Sequence, residues 1–430
     1  MAVLFLLAGV VVLVFGNVIL NQYGRGKAER AFANAHPGSA LRIGELDYTM
    51  GANRLTAQSI TLSSIGTMFK TGRISLTGVR WTRLLKNRYA LADVLAQAGL
   101  EATDVHVEFP DSHYGVRCAQ LLASVSRSEL TAEGIELQPL IQDEAFFAAD
   151  AFRTRRFRAV LPECQVSGLE YAEALKGTAF RAQSIRFDRP FFEALINRDK
   201  LPKPSVNNPP MLHEALAGIP QAILVGSLSI TNGTVKYCER LSVGTKPAEL
   251  TFGTVSLSAE GIANQGQATD AIQVRGQGRL MNSGMMKVAM SIPINAPDFS
   301  LHYSGSLDAM DLRHLDAFLE ISERTRIKSG LAEAASFQID VTQGHARGRV
   351  QGIYKNLEIA LLDKQTGERK GLNNRVTSFF ANLKIRNANT PGMLGGLKEG
   401  KINYTRKPDD EFMQFVWFAL RTGVLDIISH

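Results

Sequence analysis

Ile272-Gln273-Val274-Arg275-Gly276-Gln277-Gly278-Arg279-Leu280 is followed five residues later by Met286-Lys287-Val288-Ala289-Met290-Ser291-Ile292. In both runs a large apolar residue or glycine alternates with a polar or small one. A period of two places every residue of the first kind on one side of an extended backbone, so each run reads as a strand with one apolar face. The pattern continues in both directions. Downstream come Ile294, then Phe299, Leu301, Tyr303 and Leu307, then Phe337, Ile339 and Val341, then Val350 and Tyr354, with Leu357, Ile359 and Leu361 in a shifted register.

Upstream, Leu224-Val225-Gly226-Ser227-Leu228-Ser229-Ile230 leads into Asn232-Gly233, which reads as a tight hairpin turn before Val235 and Tyr237 because both positions tolerate positive φ. Nearer the start, Leu41, Ile43 and Leu46 begin one strand. Leu55, Ala57, Ile60 and Leu62 make a second with a bulge, and Ile74, Leu76 and Val79 make a third. Gly, Asn and Asp turns separate these strands instead of long helical patterns. The expected fold is mostly β with a few helices: an elongated, curled antiparallel or meandering sheet shaped like a groove. Side chains expected to line that groove are Ile272, Val274, Leu280, Val288, Met290, Ile292, Phe337, Ile339 and Val350. The same alternation is met by a closed sandwich in which these faces are ordinary core, and periodicity does not choose between the two.

Helices are few. Tyr89–Ala98 reads as a short helix that Gly99 ends before a strand over Leu100–Phe109. Repeated prolines in Leu201–Pro210, LPKPSVNNPP, rule out regular structure there and mark a boundary or an exposed crossing. At the end of the chain, Phe412, Val416, Ala419, Leu420, Gly423, Val424 and Ile427 recur at helical spacing, and Phe415, Trp417 and Phe418 widen the stripe. This C-terminal amphipathic helix either caps the open end of the sheet or meets a membrane or a partner.

Val3–Leu20, VLFLLAGVVVLVFGNVIL, has no charge and one strongly polar residue, Asn17. As a helix it would extend about 27 Å, close to the roughly 30 Å of a bilayer's hydrocarbon core. No small-x-small cleavage site follows at the distance a removed signal needs; Ala33-Asn34-Ala35 lies too far on. The segment therefore reads as a retained single-pass anchor, with Leu4, Leu7, Val11, Val14, Phe15 and Leu20 in the membrane. Arg25, Lys27 and Arg30 follow it and nothing basic but the amino terminus precedes it, an arrangement opposite to the positive-inside bias for an exported domain. The expected organisation is anchor at 1–22, helical linker at 23–36, an α+β part at 37–215, a β-rich groove region at 216–410 and the apolar helix at 411–430.

Composition supports a folded chain: 45% of its 430 residues are apolar and 21% charged, too apolar for a disordered one. The net charge of +7 is spread thinly. Its densest run, Arg153, Arg155, Arg156 and Arg158 around Phe157, is too short and too poor in aromatic residues for a nucleic-acid platform and reads as a solvated face. Cys118, Cys164 and Cys238 lie dozens of residues apart without a CxxC spacing, so they read as buried or free thiols. No GxSxG, HExxH or GxxxxGK[ST] occurs, the eight histidines are scattered, and Gly276-x-Gly278 lacks the third glycine of a dinucleotide loop. No catalytic, metal or cofactor residue is expected, and the chain does not read as an enzyme.

The anchor, the early LRIGELDY…NRLTAQSITLSS, VGSLSITNGTVKY at Val225–Tyr237 with the following ELTFGTVSLSAEGI, and the late SGSLDAMDLRHLDAFLE and GRVQGIYKNLEIALLD together resemble the AsmA-like superfamily of bacterial envelope proteins, in its branch with a C-terminal domain of unknown function. The likeness is a loose pattern over most of the chain. It implies an inner-membrane protein with its bulk in the periplasm, a groove-shaped sheet, and a part in moving phospholipid between membranes or in outer-membrane assembly, with phospholipid, membrane and other envelope proteins as partners. Twelve to sixteen strands at about 4.8 Å each would give a trough of about 60 to 75 Å.

Overall fold

The computed structural model describes residues 24–81, 83, 91–201, 209–242, 244–266, 270–294, 296–362, 385–392 and 396–429. The expected anchor, with Leu4, Leu7, Val11, Val14, Phe15 and Leu20, lies outside the described residues, and among these no helix is long and apolar enough to cross a membrane. The fold is a meandering, almost wholly antiparallel sheet with seventeen strands among the described residues.

Helix α1, Gly24–Ala35, follows where the linker was expected. Eight strands then succeed one another: β1 (Ala40–Thr49), β2 (Arg54–Ser64), β3 (Thr67–Thr77), β4 (Gly99–Phe109), β5 (Tyr114–Ser124), β6 (Glu129–Pro139), β7 (Arg155–Ser167) and β8 (Ala179–Asp188). Each pairs antiparallel with the next. Short helices interrupt them: α2 (Leu91–Leu95) falls within the helix read at Tyr89–Ala98, and α3 (Asp143–Ala149) and α4 (Tyr171–Lys176) follow. Next come β9 (Phe191–Asn197), helix α5 (Leu212–Ala217) and β10 (Ala222–Arg240). The last strands are β11 (Ala248–Ala263), β12 (Ala271–Leu280), β13 (Gly284–Pro293), β14 (Leu301–Asp311), β15 (Thr325–Thr342), β16 (His345–Leu361) and β17 (Glu399–Thr405). Helix α6 (Asp316–Ser322) separates β14 from β15, and α7 (Phe412–Ile428) ends the fold. From β11 to β17 every neighbour is again antiparallel.

Two features depart from the expected meander. Asn232-Gly233 is not a hairpin turn: β10 runs through it unbroken, with Asn232 at φ 55°. A left-handed residue inside a strand makes a bulge when partners lie on both sides, and β10 has β8 beside its first part and β9 beside its second. Pairing of β9 with β10 is also parallel, Phe191 opposite Thr234 and Asn197 opposite Arg240. Parallel neighbours need a long crossover, and the connection from β9 to β10 supplies it. It contains the prolines at 209, 210 and 220 and α5, while 202–208 of the Pro-rich stretch lie outside the described residues.

The chain divides into two compact units, the first Met1–Phe146, Phe157–Pro190 and Gln221–Ser229, the second Phe147–Arg156, Phe191–Pro220 and Ile230–His430. In the first, register aligns apolar side chains in rows: Leu41, Leu62, Phe69, Val107, Val116 and Leu137 form one, and Ala57, Ile74, Ala102, Leu121 and Ala132 another. Phe69, Ala57 and Ala102 are completely buried, so this face is ordinary core. Helix α1 lies on β1: the Glu29 carboxylate accepts from the Ile43 N–H at 2.8 Å and Arg25 donates to the Gly44 carbonyl at 2.7 Å.

Helix α7 does the same for β17 in the second unit. Phe415, Ala419, Gly423 and Ile427, four residues apart, form its buried stripe, and Asp426 and Thr422 accept from the Lys401 and Asn403 N–H groups at 2.8 and 3.3 Å. The helix therefore caps the sheet, the first of the two roles read for it. It is less amphipathic than expected, because Met413, Trp417 and Val424 leave its outward side apolar too. Strand and helix approach closely at Gly400, where a Cβ would stand 2.0 Å from the Gly423 carbonyl oxygen. We expect Gly400→Ala to force the two elements apart at a cost of about 3 kcal/mol, read as a lowered midpoint in denaturant unfolding.

Candidate functional site

In the second unit the apolar face of β11–β17 is laid out row by row. One row runs Ala259, Val274, Met290, Tyr303, Ile339, Gly348 and Ile402; the next runs Leu257, Gly276, Val288, Gly305, Phe337, Val350 and Gly400. All nine side chains read as groove-lining belong to strands of this unit, and eight of them fall on these two rows or on the adjoining Ile272–Ile292 pair; Leu280 lies at the far end of β12 opposite Gly284. Intervening positions, such as Arg275, Gln277, Lys287, Gln338, Arg349 and Lys401, are exposed and polar, as a one-sided sheet requires.

The nine differ in burial. Ile339 and Val350 sit at 0% and 4% exposure in a cluster with Tyr303, Phe299, Ile402, Phe415 and Ile427, sealed by α7. Ile272 and Ile292, at 5% and 2%, belong to a second cluster with Ala263 and Ile294, against which Leu216 of α5 packs. Val274, Leu280, Val288, Met290 and Phe337 are only half-buried, as are Leu257, Met286 and Leu307 around them. The face is thus ordinary core at its two ends and less deeply buried between them, where α6 packs against β11 and β15 and Met290 and Phe337 pack against the larger cluster.

Glycine explains part of the relief. At Gly305 a Cβ would meet the Phe337 ring at 2.5 Å, and at Gly348 the Gln338 carbonyl at 2.1 Å, so both are demanded by packing. At Gly276, between Leu257 and Val288, the nearest atoms to such a Cβ are the Ser256 carbonyl oxygen at 3.7 Å and Leu257 Cδ1 at 3.9 Å. That strand position has room above it.

Helix α5 roofs the end of the face beside Ile272 and Ile292. A cleft of about 220 Å³, counted with the solvent at its mouth, opens there between His213, Leu216, Ala217, Ala263, Asn264, Ile272, Ile292, Pro293 and Ile294. Most of that volume is solvent at the mouth, and the enclosed part has room for about one water. Met211, just ahead of α5, is fully buried and accepted into the larger cluster. Arg406 ties the roof down: it donates to the Pro209 carbonyl at 2.5 Å, stands 3.8 Å from the Glu214 carboxylate, and lies over the Phe299 ring on which His213 stacks. The sequence reading missed this roof, for α5 is six residues long and hidden in a proline-rich crossing.

Burial holds the His213 pKa below its ordinary 6.5, helped by Arg406 and opposed by Glu214 and Asp298. The unfolded chain then binds the proton more readily than the folded one, so stability rises with pH through this window. We expect this contribution to be complete above about pH 6.5 and to fade as pH falls below it, and His213→Gln to flatten the slope of unfolding midpoint against pH.

The basic run around Phe157 is a solvated face only in part, for Arg158 is exposed while Arg156 is buried. Arg156 is 2% exposed and pairs with Glu193; Arg155 pairs with Glu411, Arg153 donates to the Lys200 carbonyl at 3.1 Å, and Arg158 reaches Asp143 at 3.1 Å. These guanidiniums tie strands and loops together. Cys118, Cys164 and Cys238 are buried free thiols, and burial raises all three pKa values, the last two to about 11. Among the described residues no three His, Cys, Asp or Glu side chains converge as a metal site would need. Compared with known proteins, the chain matches no family model and no curated sequence.

Proposed function

We propose that this protein is a single-pass inner-membrane protein of the bacterial envelope which, in the periplasm, holds phospholipid acyl chains against the apolar sheet face of its second unit and passes them on without covalent chemistry. The observation that supports the reading is the row of apolar side chains across β11–β15, among which Leu257, Val288, Met290 and Phe337 are only half-buried. Each methylene taken out of water is worth about 0.8 kcal/mol, so a long acyl chain leaving a bilayer needs on the order of ten kcal/mol of shelter. An uncharged, one-sided sheet offers it.

A second reading, an assembly factor that binds envelope proteins through its sheet edge or last helix, draws support from Met413 and Trp417, exposed at 71% and 51% on the outer side of α7. Its sheet-edge form is disfavoured, because backbone groups along β1 and β17 are already engaged by side chains of α1 and α7. Native mass spectrometry of the full chain extracted in mild detergent tests the choice. Co-purified phospholipid is the expected result; a lipid-free chain bound to an outer-membrane assembly protein would overturn it.

A further inference from the structure

We propose that one end of the first unit rests on an anionic phospholipid surface, with the Met50-Gly51-Ala52 tip dipping into it and Arg54, Arg80 and Trp81 at the headgroups; this rests on the anchor reading above and is separate from the apolar face of the second unit. The route of the chain points to that end. Residues 36–39 turn α1 back along β1, with Arg25 beside Gly44 and Glu29 beside Ile43. The twelve residues of α1 extend about 18 Å, which brings its start level with about Glu45 on the strand. Gly24 therefore faces the Thr49 end of β1, and the apolar run Val3–Leu20 stops four residues ahead of it in sequence. Four residues span at most about 14 Å, and Thr49 lies about as far beyond Glu45. A bilayer that holds the run is thus within reach of the tip.

The chemistry of the tip agrees. Met50 is 78% exposed, and all three tip residues are uncharged and open to solvent. Asn53 holds the tip to the connection after β3: its amide donates to the Val79 carbonyl at 3.0 Å, and its side-chain oxygen accepts from the Tyr48 hydroxyl at 2.9 Å. Trp81 stands edge-on to Tyr48 with ring centroids 6.2 Å apart, so it lies beside the tip, with Arg80 next to it and Arg54 at the start of β2. An apolar point ringed by tryptophan and arginine is what the boundary of a bilayer accepts. Charge runs the same way. From Tyr48 to Ala92 the sequence carries no Asp or Glu, whereas Asp111, Asp143 and Glu144 lie at the other end of the same strands. Each Lys or Arg near an anionic leaflet strengthens attachment about fivefold.

The test uses the full chain reconstituted in vesicles of phosphatidylethanolamine and phosphatidylglycerol. Met50→Cys and, at the opposite end of β2, Ile65→Cys each receive a polarity-sensitive fluorophore; Cys118, Cys164 and Cys238 are buried and do not compete for it. Ile65 is 90% exposed and stands the length of β2 away, about 35 Å, so both labels sit on open turns and differ only in which end they mark. Spin-labelled lipid is expected to quench position 50 at least threefold more than position 65, and Arg54→Glu with Arg80→Glu to remove at least half of that difference. Equal quenching at both positions, in a chain that floats with the vesicles, overturns the membrane-facing tip while the anchor stands. Quenching at 50 that neither the two substitutions nor vesicles of phosphatidylcholine alone reduce overturns the anionic partner. A chain that does not float with vesicles removes the anchor reading itself.

Discussion

Ile339→Glu is expected to unfold the second unit, whereas Val288→Glu is expected to leave it folded and to abolish lipid binding. The two positions lie on adjacent rows of the same apolar face, on strands separated by β14. Ile339 is completely buried opposite Tyr303 and Gly348, and a carboxylate there has no partner and no route to water. Burying an unpaired charge in place of a large aliphatic side chain exceeds about 4 kcal/mol, a large fraction of a domain's whole stability. Val288, half-buried between Gly276 and Gly305, can turn a carboxylate toward solvent, so its cost in stability stays near 1 kcal/mol. Denaturant unfolding by circular dichroism reads the first effect, and phospholipid content of the purified protein reads the second. Equal destabilisation by both would mean that the face is sealed along its whole length.

Arg156→Ala is the second large effect. The Arg156 side chain is 3% exposed and its partner Glu193 15%, so truncation takes a close counter-charge from a mostly buried carboxylate that also has Lys236 opposite it on β10. Breaking such a pair typically costs about 3–5 kcal/mol, while replacing both members by apolar residues of similar volume is far milder. Arg156→Met with Glu193→Met should therefore recover most of the stability that Arg156→Ala loses. Urea midpoints for the three chains check this, and a double variant as unstable as the single one would mean that other partners of Arg156 dominate.

The period of two was enough to find most strands and the apolar face, because that signal depends only on neighbours two residues apart along the chain. Val274, Val288 and Ile339 were assigned to one face from sequence, and register places β12 beside β13 and β15 one strand beyond, across β14. What stayed hidden depends on residues far away. Asn232-Gly233 announces positive φ and nothing more; whether the chain reverses or bulges is decided by β8 and β9 lying alongside. The arginines around Phe157 look like a solvated face until Glu193 and Glu411 meet them. Sequence could not distinguish open groove from closed core either, since Val288 and Ile339 follow the same alternation and differ in what distant elements lay over them. The last helix was the easier case, for Phe415, Ala419, Gly423 and Ile427 at four-residue spacing specify one face for the sheet. Its apolar outer side was not read, for Val424 was placed on the inward stripe and the structure turns it outward beside Trp417.

The claim that the middle of this face is open to hydrocarbon is tested most directly by placing a photocrosslinking amino acid, one position at a time, at Val288 and at its exposed neighbour Lys287 in the full chain within bacterial membranes. Phospholipid adducts at 288 and none at 287 are the predicted result. Adducts at neither position, or equally at both, would contradict it.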